Sequence, residues 1–208
     1  MSRVTLVFFL AALSSISRAQ ENAVNELESL LQNLNTLSAE ITQLIVEPDG
    51  GILEESQILL HVKRPDGFYW ETISPFPELL VTNGKKLWNY QPDLEQVVVE
   101  DWDSNRSDLA AQLLYGRTDG LSDDYYIVVV NSEFAQTFEL KPKSADSLYE
   151  VITIKFISDS LDLIYIQNTN GERTAWEFKD SSINLPLEDG LFEFTPPAGI
   201  EVVNNSVN

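Results

Sequence analysis

The 208-residue sequence contains no cysteine. That absence removes thiolate nucleophiles, disulfides and thiol-based metal sites, so stability has to come from a hydrophobic core. It also removes the lipid-modified cysteine by which an exported protein is tethered to a membrane. A single histidine, His61, excludes the paired-histidine metal motifs. It lies between Leu60 and Val62 in an alternating stretch, where a structural role is expected. No G-x-S-x-G elbow, P-loop or G-x-G-x-x-G motif is present. Basic residues are scarce, 13 against 33 acidic ones, for a net charge of −20. Such a surface repels nucleic acid and anionic lipid, because binding to either depends on Lys and Arg. It suits solvation in a saline compartment, or attraction to basic patches on partner proteins. No apolar run approaches the ~20 residues needed to cross a bilayer.

What is present begins with an address. Arg3 supplies a positive start, residues 4–13 form an apolar stretch, and Ser17-Arg18-Ala19 resembles a small-residue cleavage site. The expectation is a signal peptide over 1–19 and one domain over 20–208. Because Arg3 and Arg18 leave with the leader and no acid does, the mature chain is more negative still.

Two segments carry a helical period. Val24, Leu27, Leu31 and Leu34 recur at three- and four-residue steps from Asn22 onward, and Leu109, Leu113 and Leu114 do so in a shorter stretch. Ser107 or Asp108 could cap the second helix and Gly116 close it. Most of the remainder alternates with period two between turn signals, which predicts strands near 36–47, 55–63, 68–73, 78–82, 87–90, 95–100, 124–131, 135–141, 148–157, 162–168, 172–179 and 191–195. Asn83-Gly84 between two apolar-rich runs marks a tight hairpin, and Pro48-Asp49-Gly50-Gly51 and Asn170-Gly171 mark further turns. So many short-linked strands argue for an antiparallel sheet that curls or closes partway, with helices plugging its open side.

Chemistry is sparse. Asp101-Trp102-Asp103 and Asp123-Asp124 are the pairs on which acid/base catalysis or calcium binding could be built. With 33 acids such pairs arise by chance, and no catalytic residue, metal site or cofactor is expected. The aromatics Phe68, Trp70, Phe76, Trp88, Tyr90, Trp102, Tyr115 and Tyr165 fall at or near strands and turns. Periodicity alone leaves open whether they are core or the lining of a cavity.

Three strings narrow the choice: Val62-Lys63-Arg64-Pro65-Asp66-Gly67-Phe68-Tyr69-Trp70; Leu80 to Tyr90 around Asn83-Gly84, running on through Leu94 to Val97; and Phe192-Glu193-Phe194-Thr195-Pro196-Pro197-Ala198-Gly199-Ile200. In this order, after an amphipathic helix and Leu37-x-Ala39-x-Ile41-Thr42-Gln43, they resemble the LolA family of periplasmic outer-membrane lipoprotein carriers. The family usually has Phe where this chain has Leu37 and Ile41. The resemblance implies a mainly β fold with helices: an incomplete, half-open antiparallel β-barrel with a helical lid over an apolar cavity. It implies acylated lipoproteins as cargo, an inner-membrane ABC-type lipoprotein-releasing transporter as donor and an outer-membrane lipoprotein receptor as acceptor. By the same resemblance Arg64 is the expected latch between barrel and lid. Phe68, Trp70, Trp88 and Tyr90 are expected at the cavity or its rim, and Leu109, Leu113, Leu114 and Tyr115 in the lid helix. A monomer in the periplasm is expected, without nucleic acid or stable membrane anchoring. The alternative reading is a periplasmic lipid- or lipoprotein-sensing regulatory domain of the same half-barrel type.

Overall fold

The computed structural model describes residues 20–103, 109–116, 118 and 120–206. The expected leader and the two candidate caps of the second helix lie outside them. Helix α1 covers residues 20–32, α2 Leu109–Leu114 and α3 Leu121–Asp124. Twelve strands make one sheet: β1 Thr36–Val46, β2 Ile52–Lys63, β3 Gly67–Ser74, β4 Glu78–Asn83, β5 Lys86–Gln91, β6 Gln96–Asp101, β7 Tyr125–Asn131, β8 Ala135–Pro142, β9 Tyr149–Ile157, β10 Ser160–Asn168, β11 Arg173–Ile183 and β12 Glu201–Asn204. Their order is β12-β6-β5-β4-β3-β2-β1-β11-β10-β9-β8-β7, an open sheet whose ends, β12 and β7, do not meet. Every pairing is antiparallel except β12 on β6, which is parallel.

Eleven of the twelve expected strands are present. The expected strand at 191–195 is not: a 3-10 turn spans Asp189–Phe192, and extended chain without strand pairing follows. The twelfth strand forms further on, at Glu201–Asn204. The apolar alternation of Phe192 and Phe194 reflects packing onto the sheet instead of pairing within it. Phe192 is 3 % exposed and lies against Gly67, where an added Cβ would come within 3.1 Å of its ring. The Phe194 ring sits 5.5 Å from that of Tyr90.

Turn chemistry sets the hairpins. Gly50 and Gly171 have positive φ in the β1–β2 and β10–β11 turns. At the β4–β5 hairpin only Gly84 is left-handed, with φ 82. Asn83 remains in its strand, and its side-chain oxygen accepts from the backbone N–H groups of Lys85 and Lys86 at 2.9 and 3.0 Å.

Directly paired residues share a face, so the register sorts the sheet into two sides. One side carries the rows Leu37-Val62-Phe68-Thr82 and Ala39-Leu60-Trp70-Leu80. Across β11 to β7 it continues through Trp176, Ile164, Ile154, Phe138 and Val129. These side chains join Ala23, Val24, Leu27 and Leu31 of α1 and Leu113 and Leu114 of α2 in one core. Arg64, between β2 and β3, bonds the C-terminal end of α1, and Gln136 of β8 donates to Glu26 within it. A sheet held to one helix from positions so far apart in strand order wraps around that helix. Its concave side is the apolar one. Opposite lies a smaller apolar group, Val81, Val97 and Phe192, beneath the segment that leads from β11 to β12.

Candidate functional site

Helix carbonyls are the starting point. The last four carbonyls of a helix lack intrahelical partners, and its C-terminus carries the negative end of the dipole. In α1 and α2 these ends converge on one cation. Arg64 donates through Nη2 to Leu31 O at 2.6 Å and to Leu114 O at 3.2 Å, and through Nη1 to Gln32 O at 3.1 Å. Its planar fork is suited to several acceptors at once. Burial pushes the guanidinium's pKa down, and among the described residues no carboxylate forms an ion pair with it. The guanidinium rests against Gly116, which has φ 68 and ends α2 by donating its N–H to Leu113 O at 2.8 Å. A Cβ on Gly116 would lie 2.2 Å from Arg64 Cζ, so the seat exists only because that residue has no side chain. Gln32 makes a second tie, donating to the buried Thr118 hydroxyl at 3.1 Å.

Beside this clamp is an aromatic cluster. Phe68 stacks on Trp70 at 6.1 Å and meets Tyr115 at 5.6 Å, and Tyr115 meets Trp102 at 5.7 Å. Phe68 and Trp70 come from the sheet's concave side, whereas Tyr115 comes from the end of α2, so the cluster bridges sheet and lid. Leu113, Leu114 and Tyr115 are all under 10 % exposed, and Leu109 is the first residue of α2. The concave face is occupied by helical side chains.

Trp88 and Tyr90 do not belong to this group. Trp88 pairs with Val81 and, through it, with Tyr69 and His61; Tyr90 pairs with Leu79 and Val97. Both therefore project from the outer face, opposite to Phe68 and Trp70. The expectation that they stand at the cavity or its rim is corrected: Phe68 and Trp70 pair with Thr82 and Leu80 of β4, whereas Trp88 and Tyr90 pair with its alternate residues Val81 and Leu79, which point to the other face. Trp102, one of the aromatics whose place periodicity left open, follows the end of β6, where no period governs it. His61 is also on the outer face, with Nδ1 2.8 Å from Ser38 Oγ and its ring 5.5 Å from that of Tyr69. Burial pushes its pKa down, and the Glu71 charge partly offsets this.

The acidic pairs remain apart from the clamp. Asp101 is bonded by Lys86 at 2.6 Å, and Asp123 and Asp124 line an open polar cleft with Lys143 and Asp146. Among the described residues no group of three or more His, Asp or Glu is placed to hold a metal, and no helix is long and apolar enough to cross a membrane.

Similarity to known proteins agrees with this arrangement. Among solved structures, an uncharacterized conserved protein from Thermus thermophilus matches with a TM-score of 0.59 at 13 % identity, covering 87 % of this chain and 98 % of that one. A likeness at that identity speaks to the fold alone. The outer-membrane lipoprotein carrier protein of Chromohalobacter salexigens is 32 % identical over 92 % of this chain and 91 % of its own. That of Coxiella burnetii is 34 % identical over 95 % and 94 %. The family described as outer membrane lipoprotein carrier protein LolA matches residues 32–195, from the end of α1 through the β11–β12 segment. With the half-open sheet, its apolar concave side and the helices seated on it, these matches establish that the chain belongs to the LolA family, a family of carriers and not of catalysts.

Proposed function

We propose that this protein takes acylated lipoproteins from an inner-membrane ABC-type lipoprotein-releasing transporter and passes them, through the periplasm, to an outer-membrane lipoprotein receptor. The mature chain, from residue 20, works as a monomer without a cofactor. One observation carries the reading: Arg64 joins the C-terminal ends of both covering helices above an apolar concave face. An acyl chain of roughly sixteen carbons in water costs on the order of 12 kcal/mol, at ~0.8 kcal/mol per CH₂. The surface able to hide it is the one that Leu27, Leu31, Leu113 and Leu114 now cover.

The empty protein closes by burying its helices on its own binding surface. Opening breaks the Arg64 bonds and exposes apolar area, and that cost is subtracted from ligand affinity. A carrier must bind and also surrender its cargo, and a lid that competes with the cargo provides the second half. Arg64 is the latch: hydrogen bonds to a charged group are worth about 1.5–3 kcal/mol each, enough to bias the lid and small enough to break. Phe68 and Trp70 form the rim with Tyr115 and Trp102.

The test is release of a labelled triacylated lipoprotein from spheroplasts bearing the matching transporter, with the mature protein added as wild type or Arg64→Leu. Wild type should release a soluble one-to-one complex and deliver it to receptor. Arg64→Leu should take up cargo and retain it, because the lid no longer competes. No release by wild type rejects the carrier reading and leaves the sensing domain as its replacement.

A further inference from the structure

Helix α1 joins the sheet through Asn33, Leu34 and Asn35, and the polar groups fixing that connector come largely from one distant side chain. Asn184, the residue after β11, has φ 58, a left-handed conformation that asparagine tolerates better than most residues. Its amide nitrogen donates to Asn33 O at 2.9 Å. Its amide oxygen accepts from the backbone N–H of Asn35 at 2.8 Å and, more weakly, from that of Thr36 at 3.5 Å. Its own N–H donates to Thr36 O at 2.9 Å. On the other flank the backbone N–H of Arg64 donates to Asn35 O at 2.9 Å, and the Leu34 side chain is buried. Only a side chain with both a donor and an acceptor can make this set.

We infer that Asn184 is the pivot of the lid, a positioning residue that fixes the root of α1 and ties it to the segment crossing the outer face. That segment starts at Asn184. It is anchored by Thr36 Oγ1 to Leu185 O at 2.7 Å, and by Lys63 Nζ to Leu187 O at 2.7 Å and Asp189 Oδ1 at 2.6 Å. It ends as β12, paired on β6. The inner face thus holds the lid through Arg64, and the outer face holds the lid's root through Asn184. A force on the outer segment reaches α1 without contact with the apolar surface. In the carrier this offers a route by which a docked partner alters lid opening from outside, and the assignment rests on the lid reading given above.

The experiment is amide hydrogen exchange on the full mature chain, with binding of a fluorescent apolar probe measured in parallel, for wild type, Asn184→Gly and Asn184→Asp. Glycine keeps the left-handed backbone and loses the side-chain bonds; aspartate keeps the acceptor and loses the donor. In Asn184→Gly, exchange over residues 20–32 should rise about tenfold with β9 and β10 unchanged, as local opening requires. Asn184→Asp should fall between it and wild type, and probe affinity should rise as the lid loosens. Unchanged exchange in α1, or an equal rise in β9 and β10, overturns the assignment and leaves Asn184 a general stabiliser. If exchange rises as expected while no acylated ligand binds even wild type, the pivot stands and the carrier reading fails.

Discussion

At Gly116 a missing side chain does the work of a binding group. A Cβ there would lie where the Arg64 guanidinium sits, and its φ of 68 disfavours residues with a side chain. Gly116→Ala should displace the guanidinium from all three carbonyls and reproduce the Arg64→Leu behaviour with Arg64 still in place. The readout is retention of cargo in the receptor-delivery assay, with lid opening raised at least about tenfold if one bond of ~1.5 kcal/mol is lost. Delivery at the wild-type rate would show that the clamp tolerates a methyl group. His61 supports a second expectation. Its pKa is lowered in the fold, so the native state favours the neutral ring, and stability is complete above the unfolded value of ~6.5. Stability declines as pH falls from there to the folded pKa and is flat below it. Urea midpoints at pH 7.5 and 5.5 should differ by less in His61→Gln than in wild type; an identical difference would assign the slope to carboxylates. At this scale the sequence was legible where a motif constrained it. Arg64 came from its family string, whereas Trp88 and Tyr90 were misplaced because a string shows that an aromatic is present without fixing the parity that decides its face.

The described part of helix α1 covers 13 residues, a length at which an isolated helix is marginal in water. It depends on the apolar face it covers, with Leu27 and Leu31 fully buried there. Leu27→Ala should destabilise the closed arrangement by about 2–5 kcal/mol. Exchange protection over residues 20–32 should fall, and a bound acyl chain, which displaces the helix from the same surface, should lower it further. If a saturating ligand leaves the protection of residues 20–32 unchanged, the lid and its ligand do not share a surface. Strands β1 to β11 were legible because most alternate between faces with unlike surroundings and are bounded by turn residues. Strand β12 was not, since four residues in parallel pairing carry no period and their partner lies about a hundred positions away. Phe192 and Phe194 supplied a period without a strand, because an extended segment lying across a sheet alternates as a paired one does. Helix α3 is one turn, too short for any period to register.

Over the whole molecule two features set how copies meet: a net charge of −20 and a sheet with two ends. At ~0.05 M salt the charge should keep copies apart, and at ~1 M, where the Debye length is about 3 Å, it no longer does so. The ends are then unequal. Strand β12 is four residues long and begins with Glu201, a blunt end. Strand β7 has seven residues and no charge, with Tyr126, Val128 and Val130 more than half exposed on its outer side and no strand beyond it among the described residues. Sedimentation velocity should find a single copy at low salt and, at high salt and concentration, pairs formed through β7, abolished by Val128→Lys. Trimers and longer species would show that β12 is not blunt. Sheet-to-sheet growth needs two sticky ends per molecule, as a chain of links needs two hooks on each. On this prediction the molecule has a valence of one, and association through β7 stops at two copies.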